Sequence, residues 1–460
     1  MAPPKKTKAM GLDYEQQRQE NINRNREMIA SILHQKFQLA SLLSPPKANK
    51  NPINKRTKKP NPSLTTLRRS LRSRGLPPPD STSTSTRTSP SFPRVPTGQF
   101  SFTDAFVDSG SYRPLVEATC LAGERTELRN IKKEVDLSLD ARVELGLKEE
   151  NVRKVVVERI TIVSFLPVLS RSIVISGNKQ GYLGIWDADR NREDGEGVSD
   201  GLFKFFPHRS PVSGISVHPS SVRKIYSSCY DGDLCLVDME KEMFEIIHSS
   251  DDSIFSLSQS PHDHNSLFLG ERGKVKSFDE RAGKIIYEWE LHEQRVNTID
   301  FHPENSNLIA TSSSDSFVRI WDLRCIDKDK PKSIREISHN RAVHSAYFSP
   351  TGNGIVSTSL DDTVRIQSGP QFEYSSIIEH NNQTGRWLSK FRAIWGWNDS
   401  YIFIGNMQRA VDVISIEDNI TTPLRSEYMT NIPCRFATHP YKEGHLACAG
   451  GGKLYLWTKM

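Results

Sequence analysis

Leu308-Ile-Ala-Thr-Ser-Ser-Ser-Asp-Ser-Phe-Val-Arg-Ile-Trp-Asp322 reads as an apolar strand, a tight polar turn at Asp315-Ser316 and a second strand that closes on Trp-Asp. Strands of the same cadence end at Trp186-Asp187, Val237-Asp238, Phe278-Asp279, Gln367-Ser368, Ile414-Ser415 and Trp457-Thr458, making seven units spaced 41 to 51 residues apart. That period belongs to a four-stranded propeller blade, so the recurrence predicts an all-β, seven-bladed propeller.

Each unit follows one plan: a loop often headed by His, a strand, a His-Pro or Ser-Pro turn, a second strand, a tight polar turn and a third strand. The fourth unit shows it in full, with His292, Phe301-His302-Pro303, Asp315-Ser316 and Trp321. His208 and His339 head two further units. This plan resembles the WD repeat, in which the head His, a Ser or Thr, the turn Asp and the Trp form a hydrogen-bonded staple. The histidines are therefore expected to be structural. In chain order the turn-Asp position holds Gln180, Asp231, Arg272, Asp315, Asp361, Gln408 and Gly451, so four units lack the carboxylate.

The chain stops three residues after Trp457 and leaves no room for an outer strand of the last blade. An earlier segment within about 125–158 is expected to supply it and remove an open edge. The expected organisation is a basic disordered end over 1–11 and an amphipathic helix over 12–43. A disordered Pro/Ser/Thr-rich basic linker follows over 44–99, then a lead-in over 100–154 that includes the closing strand, and the propeller over 155–460. The helix rests on Met28, Ile29, Ile32 and Leu33 at three-and-four spacing, stopped by Pro45-Pro46. The linker composition cannot supply a core.

Charge is unevenly placed. Residues 1–100 carry 19 Lys+Arg against 5 Asp+Glu, a surplus of 14 in a chain of net +6, which leaves the remainder near −8. The clusters Lys5-Lys6-Thr7-Lys8, Lys55-Arg56-Thr57-Lys58-Lys59 and Arg68-Arg69-Ser70-Leu71-Arg72-Ser73-Arg74 read as nuclear targeting or phosphate contacts, with plain solvation as the bland alternative. No signal-peptide core and no apolar stretch near 18 residues occurs, so an intracellular, membrane-free protein is expected. Six cysteines show no paired C-x-x-C spacing; no metal site and no cofactor is expected. Without a Gly-rich phosphate loop or a nucleophile elbow, the sequence points away from an enzyme and from a small-molecule substrate.

Two places carry a more specific resemblance. Phe278-Asp279-Glu280-Arg281 and Trp321-Asp322-Leu323-Arg324 put Asp-x-Arg on two consecutive units. The pair resembles the double motif of WD-repeat substrate receptors of cullin-4 ubiquitin ligases, which implies docking of Asp279, Arg281, Asp322 and Arg324 on the ligase's three-propeller adaptor subunit. The sixth unit runs His380-Asn-Asn-Gln-Thr-Gly-Arg-Trp-Leu-Ser-Lys-Phe-Arg-Ala-Ile-Trp395, then Tyr401-Ile-Phe-Ile-Gly-Asn406 and Arg409-Ala-Val-Asp-Val-Ile414. Together with the Tyr14-Glu15 helix, this is similar to the WD repeat-containing protein 76 family of DNA-damage-binding proteins, relatives of the small DNA-contacting subunit of the UV-damage complex. In that subunit a loop at this place wedges into DNA. Here the loop carries Gly385, Arg386 and Trp387, so its lesion preference does not transfer; Trp387 is suited to stack on a base or, alternatively, to pack as core.

In a WD propeller the loop before each first strand and the turn between the second and third strands share one face, and the Asp-x-Arg loops lie on the other. Sorted this way, Lys179, Arg209, Arg272, Lys274, Arg295, Arg341, Arg386, Arg409 and Lys453 fall on the first face, at least one per blade. Such a concentration on an acidic body is a footprint for nucleic acid. The expectation is a nuclear, non-enzymatic adaptor that binds double-stranded DNA, damaged or base-modified, on one face and a cullin-4 ligase on the other. The alternative is a chromatin scaffold that grips histone tails or other peptides.

Overall fold

The computed structural model describes residues 98–108, 110–124, 139–190, 201–327 and 330–460, with Asn23, Arg24 and Glu27. Those three are helical; the rest of the tail helix, the basic clusters and the linker up to residue 97 lie outside the described residues.

Antiparallel strands pair into six sheets, yet the blades number seven. The strand Lys284–Phe301 serves two of them: its first part pairs with Arg272–Asp279 as the outer strand of blade three, and its last part pairs with Leu308–Ser313 as the inner strand of blade four. Inner strands Ile160–Phe165, Val212–Val217, Ser256–Gln259, Val343–Phe348, Ile394–Trp395 and Arg435–Thr438 belong to the other blades. Each inner strand touches the next around the ring, and Arg435–Thr438 touches Ile160–Phe165, so the ring is closed. Second strands such as Ile173–Asn178 and Gly354–Ser359 are buried at every position, because neighbouring blades cover both faces of each sheet. Their small polar residues Ser176, Ser357 and Thr358 keep the blades close while satisfying buried hydrogen bonds.

Blade seven takes its outer strand from the start of the domain. Val152–Lys154 pairs antiparallel with Lys453, Leu454 and Tyr455, and Leu145–Gly146 pairs with Lys459 and Thr458 beyond it. A second addition was not foreseen. Gln99–Ser101, whose first residue the sequence reading placed in the linker, adds a fifth strand outside Met243–Ser249 of blade two. The turn that follows is a short helix, Phe102–Ala105, held by a reciprocal capping box between Ser101 and Asp104. Its Phe102 enters an aromatic cluster with Phe205, Phe244 and Tyr112, which seals the outer edges of blades one and two.

The staple is complete in blade four alone. Thr311 Oγ1 sits 2.7 Å from His292 Nε2 and accepts from Trp321 Nε1 at 2.8 Å, while His292 Nδ1 lies 2.8 Å from Asp315. Burial by itself would raise the Asp315 pKa; the hydrogen bond and charge interaction with His292 and the backbone N–H groups of Phe317 and Glu293 bring it down to about 2. Blade five keeps His339 to Ser357 at 2.9 Å and to Asp361 at 3.4 Å, with Gln367 in the Trp position. Blade two keeps Asp231 in sequence but not the bond: His208 reaches Ser227 at 2.8 Å, and its Nδ1 is buried without a partner. The backbone N–H of Asp231 instead donates to Ser210 Oγ in the loop, so possession of the residue did not ensure the contact.

Two measurements test this account. Thr311→Val keeps the shape and orphans two buried groups, so it is expected to cost about 2–4 kcal/mol in denaturant unfolding, against about 1–2 for Ser357→Ala, which orphans one. The second concerns acid. Burial lowers His208, His339 and His439 to about 4, and burial with neighbouring cations lowers His344 to about 3, from an ordinary 6.5. The unfolded chain therefore binds more protons as pH falls below about 6.5, and stability present at pH 7 is lost on the way to pH 4. Asp300, pushed up to about 7 by burial, acts in the opposite sense, but it is one group against four. The melting temperature is expected to fall between pH 7 and pH 5; a rise would contradict the neutral-histidine core.

Candidate nucleic-acid interface

The inner strands carry a repeated irregularity that builds the site. In blades one, two, four and five the pairing register slips near the start of the inner strand, between Ile160 and Ile162, Val212 and Gly214, Val296 and Thr298, and Val343 and Ser345. A bulge inserts an unpaired residue and re-aims its side chain. The four inserted residues are Thr161, Ser213, Asn297 and His344, and all four line a cavity of about 580 Å³ at one mouth of the central channel. Arg159, Arg295, Arg386, Lys390, Arg392 and Arg435 make up its charged lining, and among the described residues no carboxylate lines the space.

The long loop 380–393 roofs this mouth. It leaves blade five, passes above the inner strand of blade seven and touches blade one, where Ser389 donates to the carbonyl of Ile160 at 3.2 Å and Arg159 donates to the carbonyl of Arg386 at 3.4 Å. Asn382 pins its base with bonds from Nδ2 to the carbonyls of Ser359 and Thr363. At its tip Trp387 is 90% exposed, which removes the reading of this residue as core. Arg386 beside it is exposed as well.

The turn between second and third strands demands a left-handed residue. The position is filled by Gly181, Gly232, Gly273, Ser316, Asp362 and Arg409 in blades one to six, all with positive φ. Glycine meets that demand without strain; a long side chain in this region costs about 1 kcal/mol or more. Arg409 holds φ 61° because Asn406 Oδ1 accepts from the N–H of Gln408 and of Ala410 on either side of it. Arg409 is exposed at this strained position.

The other rim residues separate into groups. Lys179 and Arg272 are exposed on the same face, Arg209 and Arg341 likewise. Arg295 is half-buried, stacked over Phe255 at 5.5 Å and bonded to Ser314. Lys453 donates to Thr430 at 3.0 Å. Lys274 does not fit the expectation: it pairs with Glu288 at 2.7 Å and Glu290 at 3.8 Å, so its charge is already answered. Asp231, Asp252, Glu293, Asp361 and Asp362 also occupy loops of this face, which sorting the cations alone had hidden. The uncompensated charge is concentrated at the channel mouth, on Arg159, Lys390, Arg392 and Arg435, none of which the sequence reading named. They were findable: Arg435 stands at the head of an inner strand, in the register that holds Thr298 and Ser345 in other units, one residue after the bulged positions Asn297 and His344.

The two Asp-x-Arg loops lie at the far ends of their strands. Arg272 opens and Asp279 ends one eight-residue strand, so Arg272 and Arg281 stand roughly 25 Å apart on opposite faces. Arg281 is exposed and its backbone N–H donates to Asp279. Arg324 is gripped by Asp322 through two bonds at 3.0 and 2.6 Å and still presents most of its guanidinium to solvent. Between these blades a groove of about 860 Å³ is lined by Ile286, Tyr287, Trp289, Ile326 and Arg324, with Ile286 and Tyr287 exposed.

Sequence comparison agrees with this architecture. The family model described as WD domain, G-beta repeat matches residues 283–322 and 331–367, each match running from the outer strand of one blade through the first three strands of the next, blades four and five. The chain is 30% identical over 334 residues to WD repeat-containing protein 76 of Xenopus laevis, covering 68% of this chain and 55% of that protein. It is 28% identical over 352 residues to DNA damage-binding protein cmr1 of Aspergillus clavatus (67% and 66%) and 29% over 342 residues to its namesake of Neurospora crassa (66% and 65%). The aligned part thus spans less than two thirds of the length of these curated relatives. With its blade period, its complete His-Thr-Asp-Trp staple and these matches, the chain belongs to the WD-repeat proteins, as a relative of WD repeat-containing protein 76 and of the DNA damage-binding protein cmr1 group.

Proposed function

We infer that this chain is a nuclear, non-enzymatic DNA-binding protein of the DNA-damage response, and that it serves as a substrate receptor of a cullin-4 ubiquitin ligase. The observation that carries the DNA reading is the loop tip, an almost fully exposed Trp387 beside Arg386, at the edge of a channel mouth whose charged lining residues are all cations. An indole on a loop tip stacks on an unpaired or unstacked base, and surrounding arginines hold phosphates. The relatives' names, which speak of DNA damage binding, support the same direction. Lysine- and arginine-rich histone tails, the alternative partner, would meet like charge at this mouth, so the face favours DNA.

Docking is supported by the opposite face. Arg281 and Arg324 project from adjacent blades, Arg324 at a groove with exposed Ile286 and Tyr287, and a planar guanidinium already oriented by Asp322 suits carbonyls or carboxylates of a protein partner. Nuclear residence rests on the basic clusters of the tail.

Replacing Arg272, Arg386 and Arg409 by Gln is expected to weaken duplex binding at least about tenfold and to reduce the slope of log affinity against log salt by about 2 to 3. Arg409→Gly separates binding from folding: it is expected to weaken DNA binding while leaving the melting temperature equal or higher, because the left-handed strain is relieved. Unchanged affinity in both variants would refute the rim interface. Arg281→Ala with Arg324→Ala is expected to abolish co-purification with the three-propeller adaptor subunit without lowering the melting temperature; persistent co-purification would place docking elsewhere.

A further inference from the structure

The channel mouth holds more positive charge, and at greater depth, than a duplex lying on the rim would meet. Arg386 and Trp387 stand at its lip. Below them Arg159, Arg295, Arg392, Lys390 and Arg435 converge, and none of these five, nor Arg386, forms an ion pair with a carboxylate among the described residues. Arg435 is fixed at the floor by bonds to the carbonyls of Thr161, Lys390 and Cys434, and Arg392 by the carbonyl of Asn297. Carbonyls orient these guanidinium groups without neutralising them. Like charges held together without counter-charge are costly, and the effect registers on their neighbours: burial and Arg392 pull Arg435 down to about 9.

The floor is also built to meet a ligand. The four bulges place Thr161, Ser213, Asn297 and His344 toward the cavity, so the distortion of four separate ladders converges on one space. His344 is 5% exposed, and its Nε2 is buried with no hydrogen-bond partner. Arg159 Nε is unpartnered in the same way. A cavity of about 580 Å³ is far too narrow for a double helix, which reaches the lip and not the floor.

We propose that the channel mouth is a binding site for a compact phosphate-bearing anion, held by Arg159, Lys390 and Arg392 from the walls and by Arg435 and His344 from the floor. Two sources share that chemistry: a free oligophosphate, and the terminal phosphate of a nucleic-acid strand threaded past Trp387. The site goes beyond the rim interface, since its deepest cations are out of reach of a duplex backbone. Guanidinium groups pre-oriented by backbone carbonyls lose little freedom on binding, which suits a multiply charged oxyanion.

The test uses the full chain and inorganic tripolyphosphate as probe, with sodium chloride at equal ionic strength as reference. Calorimetric titration is expected to show one saturable site, and the double variant Arg159→Gln, Lys390→Gln is expected to raise the dissociation constant at least about tenfold with its ligand-free melting temperature kept. Lys284→Gln, exposed at the opposite end of blade three, is expected to leave the constant unchanged. Absence of saturable binding beyond the chloride reference, or equal affinity in the double variant, would overturn the proposal. Competition by a short single strand with a 5′-phosphate, but not by its 5′-hydroxyl twin, would support the site and identify a strand end as the source. Competition by neither, with tripolyphosphate still bound, would support it and identify a free oligophosphate.

Discussion

Everything in this molecule depends on a few backbone hydrogen bonds between its two ends. Seven sheets set around an axis leave an unpaired edge on the last blade and an unsupported flank on the first, and an open edge is a template for unwanted pairing. Val152–Lys154 closes that edge on Lys453, Leu454 and Tyr455. Immediately after it, Val155 and Val156 bond to the carbonyl of Gly452 and pack with Leu454, Leu456 and Trp186, so the strand that closes blade seven leads directly into the core shared with blade one. Without closure the inner strands have no reason to converge, and the channel mouth, to which six blades contribute cations or bulged residues, does not exist.

Closure by chain ends relieves the individual blades of much of the work. One complete staple, in blade four, suffices, and others have decayed to single bonds such as His208 with Ser227 or have been replaced. Blade six shows a replacement: His380 contacts Asn382 and Asp412 rather than a turn carboxylate, and Asn406 binds Asp412 in turn. That network anchors the loop carrying Arg386 and Trp387. A blade that departs from the repeat pattern is therefore also the one in which the long loop 380–393 is secured to the propeller.

The fold was largely legible because a period of 41 to 51 residues and the Trp-Asp strand ends report the blade directly. What escaped had no repeat to report it. Gln99–Ser101 pairs with blade two across more than 140 residues of sequence, and three residues of ordinary composition give no signal for such a partner. The faces were legible from topology, whereas the state of each cation was not. Lys274 differs from Lys179 only in having Glu288 and Glu290 across a strand, a pairing set by register. Trp387 illustrates the same limit from the other side, since an indole in a loop reads equally as core or as surface until its exposure is known.

The shared strand Lys284–Phe301 has a mechanical meaning. In most of the ring a flexible connection separates the outer strand of one blade from the inner strand of the next; here the backbone runs through without a break. Blades three and four are thereby joined by paired strand and not by a loop, and the turns that carry Arg281 and Arg324 belong to blades sharing this rail. For the docking proposed above, part of the conformational entropy that bivalent contact consumes would already be spent when the shared strand folds.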